Sequence, residues 1–209
     1  FMLRRVGASG DAQAVARLIA GLDRVDTIEQ QMAFLTALRT SLIGQRTVEK
    51  PSQWDAAYAK LSGSPEIDIQ LAAAGLGVTF GDHSAAQRLE IELADASRPT
   101  ASRIEALAAL LAAKHDLVET LTHLVATPDE PAALREAALR GLAQYDDARI
   151  GPVLVEAYSS FSDSQHRAAI ATLAARASGA AALLTAIGED RIPASDLTAD
   201  LARQMELMG

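Results

Sequence analysis

His115, Glu119 and His123 stand at i, i+4 and i+8, a spacing that places three potential metal ligands on one face of a continuous helix. A metal site also needs ligands held in convergence. Asp116 occupies the position of a cap for a helix starting at Leu117, which leaves His115 outside that helix and breaks the face. No metal site is expected, and the histidines, with His83 and His166, read as exposed. A second constellation is a row of guanidinium groups. Arg103, Arg135 and Arg167 recur every 32 residues, with Asp129 and Asp163 in the turns before the last two. The favoured reading is structural, each Arg tying a helix start to neighbouring turns by charge-assisted hydrogen bonds. The alternative is a row that binds anions.

Other chemistries fail on spacing. Gly7-Ala8-Ser9-Gly10 precedes a helix N-terminus, where backbone N–H groups favour anions. No strand leads into it and no Lys-Ser/Thr follows, so neither nucleotide fingerprint is complete. Gly75-Leu76-Gly77 falls inside a helix and reads as a close-packing site. There is no Gly-x-Ser-x-Gly elbow and no Ser-x-x-Lys. The acid pairs Asp129-Glu130, Asp146-Asp147 and Glu189-Asp190 sit in turns, with no apolar pocket beside them to raise a catalytic pKa. No catalytic residue is expected. Zero Cys removes thiolate zinc, iron–sulfur clusters, covalent haem c and cysteine nucleophiles. No cofactor is expected. A net charge of -8 with scattered Arg argues against a nucleic-acid partner, which needs a basic stripe. No apolar run approaches the roughly 18 to 20 residues that span a bilayer, so no direct membrane insertion is expected.

The elements behind these residues are helical. The 209 residues include 44 Ala and 27 Leu, 49% are apolar and 4% aromatic, a composition that favours helices. Asp11 can cap a helix bearing Val15, Leu18, Ile19 and Leu22. Thr27 precedes Ile28, Met32, Leu35, Leu38 and Leu42, and Gly44 follows as a C-terminal stop. After a polar loop at 45–50, Pro51-Ser52 opens a short helix with Trp54, Tyr58 and Leu61 on one side, ended by Gly63. Trp54 and Tyr58 read as core contacts. Ile67, Ile69 and Leu71 alternate with polar residues, but the run is short and continues into an Ala-rich helix, so the whole chain reads as helical.

From about residue 64 the helices repeat. Arg103-Ile104-Glu105-Ala106-Leu107, Arg135-Glu136-Ala137-Ala138-Leu139 and Arg167-Ala168-Ala169-Ile170 open successive units. The small-and-Leu segments Ala109-Leu110-Leu111, Gly141-Leu142-Ala143 and Thr172-Leu173-Ala174 follow them. Second helices come at Ala85–Leu93, Leu117–Val125, Val153–Phe161 and Ala180–Ile187. Helices this short need stacked neighbours to be stable.

Pro131-Ala132-Ala133-Leu134-Arg135-Glu136-Ala137-Ala138-Leu139-Arg140-Gly141-Leu142-Ala143, with its in-phase partners, resembles the bacterial kind of HEAT repeat. The resemblance implies an all-α fold: a right-handed α-α superhelix, a HEAT/armadillo-like solenoid of stacked antiparallel helix pairs. One solenoid domain over 1–209 is expected, with 1–63 less regular and 64–209 carrying the clearest repeats. Opening on Phe1-Met2, the chain reads as a segment of a longer protein. A narrower resemblance rests on Pro51-Ser52-Gln53-Trp54 with Tyr58, Val78-Thr79-Phe80-Gly81-Asp82, Tyr145-Asp146-Asp147-Ala148-Arg149-Ile150, and Arg191-Ile192-Pro193-Ala194-Ser195-Asp196-Leu197 with Ala202-Arg203-Gln204. These are similar to the HEAT segment of large bacterial proteins carrying a propeller-like membrane-bound dehydrogenase domain before it and a small haem c domain after it. That implies an extracytoplasmic setting and a scaffold or docking role toward proteins or neighbouring domains of the same chain. It brings no haem site, because Cys-x-x-Cys-His is missing. By the family's convention the Arg-bearing helices line the inner face, making Arg135, Glu136, Arg140, His166 and Arg167 the candidate interaction face. HEAT-like repeats also occur in bilin lyase-type proteins. The alternative is therefore an accessory part of a redox enzyme, or a lyase-like protein with a small-molecule site in a repeat groove.

Overall fold

Short amphipathic segments separated by Gly, Pro and Asx turns fold into helices throughout the described part of the chain. The computed structural model describes residues 12–22, 24–42 and 48–207; the glycine cluster at 7–10, the cap at Asp11 and the stop at Gly44 lie outside these. Among the described residues there are twelve α-helices and no strand. The chain divides into two compact units, one ending at His115 and the other starting at Asp116.

The first unit holds α1 (Ala12–Leu22), α2 (Ile28–Leu42), α3 (Trp54–Ser62), α4 (Ile67–Thr79), α5 (His83–Ala94) and α6 (Thr100–Ala112). Val15, Leu18, Ile19 and Leu22 of α1 meet Leu35, Leu38 and Leu42 of α2 in its core. Thr27 accepts a hydrogen bond from the Gln30 backbone N–H at 3.4 Å and opens α2. Ile28, at the head of the expected stripe, instead stands 51% exposed. Trp54 is fully buried, 5.9 Å from the Tyr58 ring and edge-on to Phe80 at 4.9 Å.

The Ile67/Ile69/Leu71 alternation belongs to a helix with a particular place. Because α4 packs against α2, α3, α5 and α6, it buries Ile69, Leu71, Ala73, Ala74, Leu76 and Gly77 around much of its circumference. A helix enclosed on several sides loses the one-sided stripe that marks a surface helix. Its two glycines serve that enclosure. A Cβ at Gly75 would lie 3.1 Å from the Ala109 Cβ of α6, and one at Gly77 only 2.7 Å from the Ala85 Cβ of α5. The turn into α5 uses Gly81 at φ +80, a conformation that disfavours side chains, and Asp82 then accepts from the Ser84 and Ala85 N–H groups.

The second unit holds α7 (Val118–Ala126), α8 (Ala132–Leu142), α9 (Ile150–Ala157, continued by a 3₁₀ turn Tyr158–Ser160), α10 (Asp163–Ala174), α11 (Ala177–Gly188) and α12 (Ala199–Glu206). Within it α8 packs on α7 and α10, α9 on α7 and α11, and α10 on α11 and α12. Each of these contacts is to the next helix or to the next but one. Close crossings again use small residues: a Cβ at Gly151 of α9 would approach Ala182 of α11 to 2.7 Å. A reciprocal capping box starts α10, with Ser162 accepting from Gln165 N–H and Gln165 Oε1 accepting from Ser162 N–H at 3.0 Å.

Candidate functional site

The guanidinium row resolves into two kinds of residue. Arg103, 1% exposed, donates from Nε to the Leu93 carbonyl at 2.8 Å. Arg135, 4% exposed, donates from Nε and Nη2 to the Val125 carbonyl at 3.3 and 3.0 Å, and from Nη2 to Ser160 Oγ at 2.8 Å. In both cases the acceptor is ten residues back, on the next-to-last residue of the preceding helix. Such late carbonyls lack an intrahelical donor, so each Arg closes the end of one helix with a side chain from the next. Burial pulls the Arg135 guanidinium below its ordinary pKa, and its carbon lies 5.1 Å from the centre of the Phe161 ring.

Arg167 does not continue this series. The buried positions of α6 (Ala106, Leu107, Leu110) recur in α8 at Ala138, Leu139 and Leu142, then in α10 at Ala169, Ile170 and Leu173. The second step is one residue shorter than the first, so His166 takes the place equivalent to Arg135. His166 is half-buried, donates from Nε2 to the Tyr158 carbonyl at 2.9 Å, and stacks on the Tyr158 ring at 4.3 Å. Arg167, one residue further, turns about 100° around the helix to the exposed side. Thirty-three residues before Arg103, Gln70 occupies the equivalent position in α4 and donates to the Ser64 carbonyl. The structural reading of the row holds for Arg103 and Arg135, and its third member is a histidine.

The face expected at Arg135, Glu136, Arg140, His166 and Arg167 is therefore split. Arg135 and His166 point inward and are committed to backbone carbonyls. Glu136 and Arg140 of α8 and Arg167 of α10 converge instead on an open groove of about 420 Å³ between these helices. Ala143, Ser164, Ala168, Ala171 and Thr172 complete it. Glu136 holds Arg140 at 2.9 Å, the i,i+4 arrangement. Thr172 donates its hydroxyl toward the Leu139 and Ala168 carbonyls, each 2.8 Å away, so methyl groups dominate the groove floor. Arg167 has no ion-pair partner among the described residues. Ser164, Ala168 and Ala171 were not part of the expected face, although their i, i+4, i+7 spacing on α10 was readable once Arg167 pointed outward.

The remaining candidates have local roles. His115 lies outside α7, with its Nε2 2.6 Å from Glu90 Oε1, while Asp116 accepts from the Val118 N–H at 3.3 Å. His83 and His123 are exposed. Among the described residues, no three His, Asp or Glu side chains gather closely enough to hold a metal, and no helix is long and apolar enough to cross a membrane. Asp147 is gripped by Arg149 at 2.8 and 2.9 Å, which with the Arg149 backbone N–H holds its carboxyl down at about 2. Asp146 accepts from Ser178 at 2.9 Å. Tyr158, 3% exposed, donates to Asp196 at 2.7 Å, and burial first, then that carboxylate, pushes its pKa up. Glu92 is 5% exposed, with Oε2 3.2 Å from Arg98 Nε. No nucleophile, base and oxyanion donor converge at the groove; what it offers chemically is a guanidinium pair above an apolar floor. Comparison with known proteins found no family model, curated protein or solved structure that matches this chain.

Proposed function

We propose that the chain is a non-catalytic HEAT-like α-solenoid, a right-handed stack of antiparallel helix pairs that docks a protein partner or a neighbouring domain. The observation that carries this reading is the α8–α10 groove. Glu136, Arg140 and Arg167 come from two successive repeat helices and meet on one open, solvent-facing surface. Repeat proteins present such extended grooves because each unit contributes one helix to a common face. Supporting it are the small-residue crossings at Gly75, Gly77 and Gly151 and the recurrence of the side-chain brace at Arg103, Arg135 and His166.

The docking face is Glu136, Arg140 and Arg167, with Arg135 and His166 acting as internal supports that tie α8 to the end of α7 and both α8 and α10 to the Tyr158–Ser160 turn. The test is to produce this chain and the segments that flank it in its gene as separate proteins, and to measure their association by calorimetry. The double variant Arg140→Glu/Arg167→Glu is expected to weaken association at least about tenfold, since charge reversal converts attraction to repulsion. Unchanged affinity removes this face from the docking surface. A metabolite held tightly in the groove, with no flanking segment bound, overturns the docking role.

A further inference from the structure

Resting on that docking reading, we infer that the α8–α10 groove takes an acidic peptide segment, lying extended over the alanine floor with a carboxylate on Arg167. The argument is charge complementarity on a protein of opposite overall sign. The chain carries a net charge of -8, so an acidic partner is repelled by most of its surface. The groove is an exception, lined by two guanidinium groups and a single carboxylate, Glu136. That carboxylate is engaged by Arg140, leaving Arg167 as the exposed cation with no ion-pair partner among the described residues. Planar guanidinium matches carboxylate in a two-pronged geometry.

Shape points to the same occupant. With Ala143, Ala168 and Ala171 below and the Thr172 hydroxyl already engaged, the floor is shallow and short of bonding groups. It suits a chain with small side chains whose backbone lies close, and has no deep slot for an aromatic anchor. The volume of about 420 Å³ lies toward the small end of the roughly 300–1,000 Å³ typical of binding clefts. Two arginines are too few for a phosphodiester backbone, whose binding rests on several neutralised phosphates. The Glu136–Arg140 pair adds a built-in competitor: an incoming carboxylate contends with Glu136 for Arg140.

Fluorescein-labelled decapeptides of alternating Ala and Glu, Ala and Gln, and Ala and Lys, titrated by fluorescence anisotropy at low and high salt, test the inference. The Ala-Glu peptide alone is expected to bind. Arg167→Ala should weaken it about three- to fivefold, the range of a surface ion pair, and Arg167→Glu more than tenfold. Glu136→Gln, which releases Arg140, should tighten it about twofold or more. Ala171→Leu, at an exposed helix position, should block it with the circular dichroism spectrum unchanged, and Arg176→Ala, exposed outside the groove, should leave it intact. Equal binding of the Ala-Gln peptide, equal sensitivity to Arg176→Ala, or tighter binding of an oligothymidine dependent on Arg167 overturns the proposal. If the acidic peptide fails while flanking segments still dock in an Arg167-dependent way, the peptide chemistry is wrong and the docking reading stands.

Discussion

Replacing Arg135 with alanine removes three donated hydrogen bonds at once and leaves the Val125 carbonyl, at the end of α7, without its side-chain partner. Hydrogen bonds from a charged donor contribute roughly 1.5–3 kcal/mol each, and a cation over an aromatic face about 0.5–1 kcal/mol or more. Against these stands the desolvation of a buried guanidinium, visible in its lowered pKa. The two interactions with Val125 share one acceptor and do not add fully, so the net loss is about 2–4 kcal/mol, in line with other disrupted buried charge networks. Arg167→Ala, on the exposed side of α10, should stay within about 0.5 kcal/mol. Native-state hydrogen exchange read by mass spectrometry resolves the difference locally. A loss of 3 kcal/mol speeds exchange of the slowest α7 and α8 amides by about a hundredfold, at roughly 1.4 kcal/mol per factor of ten. Arg135→Lys keeps the charge on a single donor nitrogen without the guanidinium's fork and should fall between. If Arg135→Ala changes protection by less than threefold, or if Arg167→Ala matches it, the assignment of Arg135 as an internal brace and Arg167 as a surface residue is refuted.

Gly179→Ala places a Cβ 2.5 Å from the Leu173 backbone carbonyl oxygen, a contact that only movement between α10 and α11 relieves. Thermal melting should show a loss of roughly 1–3 kcal/mol, the usual cost of overpacking; no shift would mean that α11 does not approach α10 so closely. The Asp147 carboxyl, followed by NMR, should titrate at about 2. Its pKa is depressed in the folded state, so its contribution to stability is present above the unfolded value near about 4 and is lost as pH falls through about 2. Arg149→Ala, which removes the largest cause, should return the titration toward the ordinary range, and an unchanged midpoint would rule out Arg149 as that cause.

The helical class of the chain was legible in its residues. Ala and Leu in helical phase, Pro51-Ser52 before Trp54, Thr27 ahead of α2, and Asp116 beside the start of α7 act through local backbone geometry, which depends little on distant contacts. His115 could be placed outside its helix for the same reason, and Trp54 and Tyr58 could be read as core. The face expected at Arg135, Glu136, Arg140, His166 and Arg167 was legible only as a neighbourhood. Equal spacing of Arg103, Arg135 and Arg167 suggested equal roles, but one residue of helix is about 100° of rotation. The packing of Ala169, Ile170 and Leu173 sets the register of α10 one residue short of that spacing, and this alone exchanges the roles of His166 and Arg167. The Ile67–Leu71 stretch was legible as helix, but burial on several sides of α4 is a property of its neighbours. Composition and local caps determined that the chain is helical and where most helices start and stop. Which side of each helix faces in, and so which arginine braces the interior and which faces solvent, was decided by tertiary packing, because the apolar contacts that orient a helix are made with residues far away in the chain.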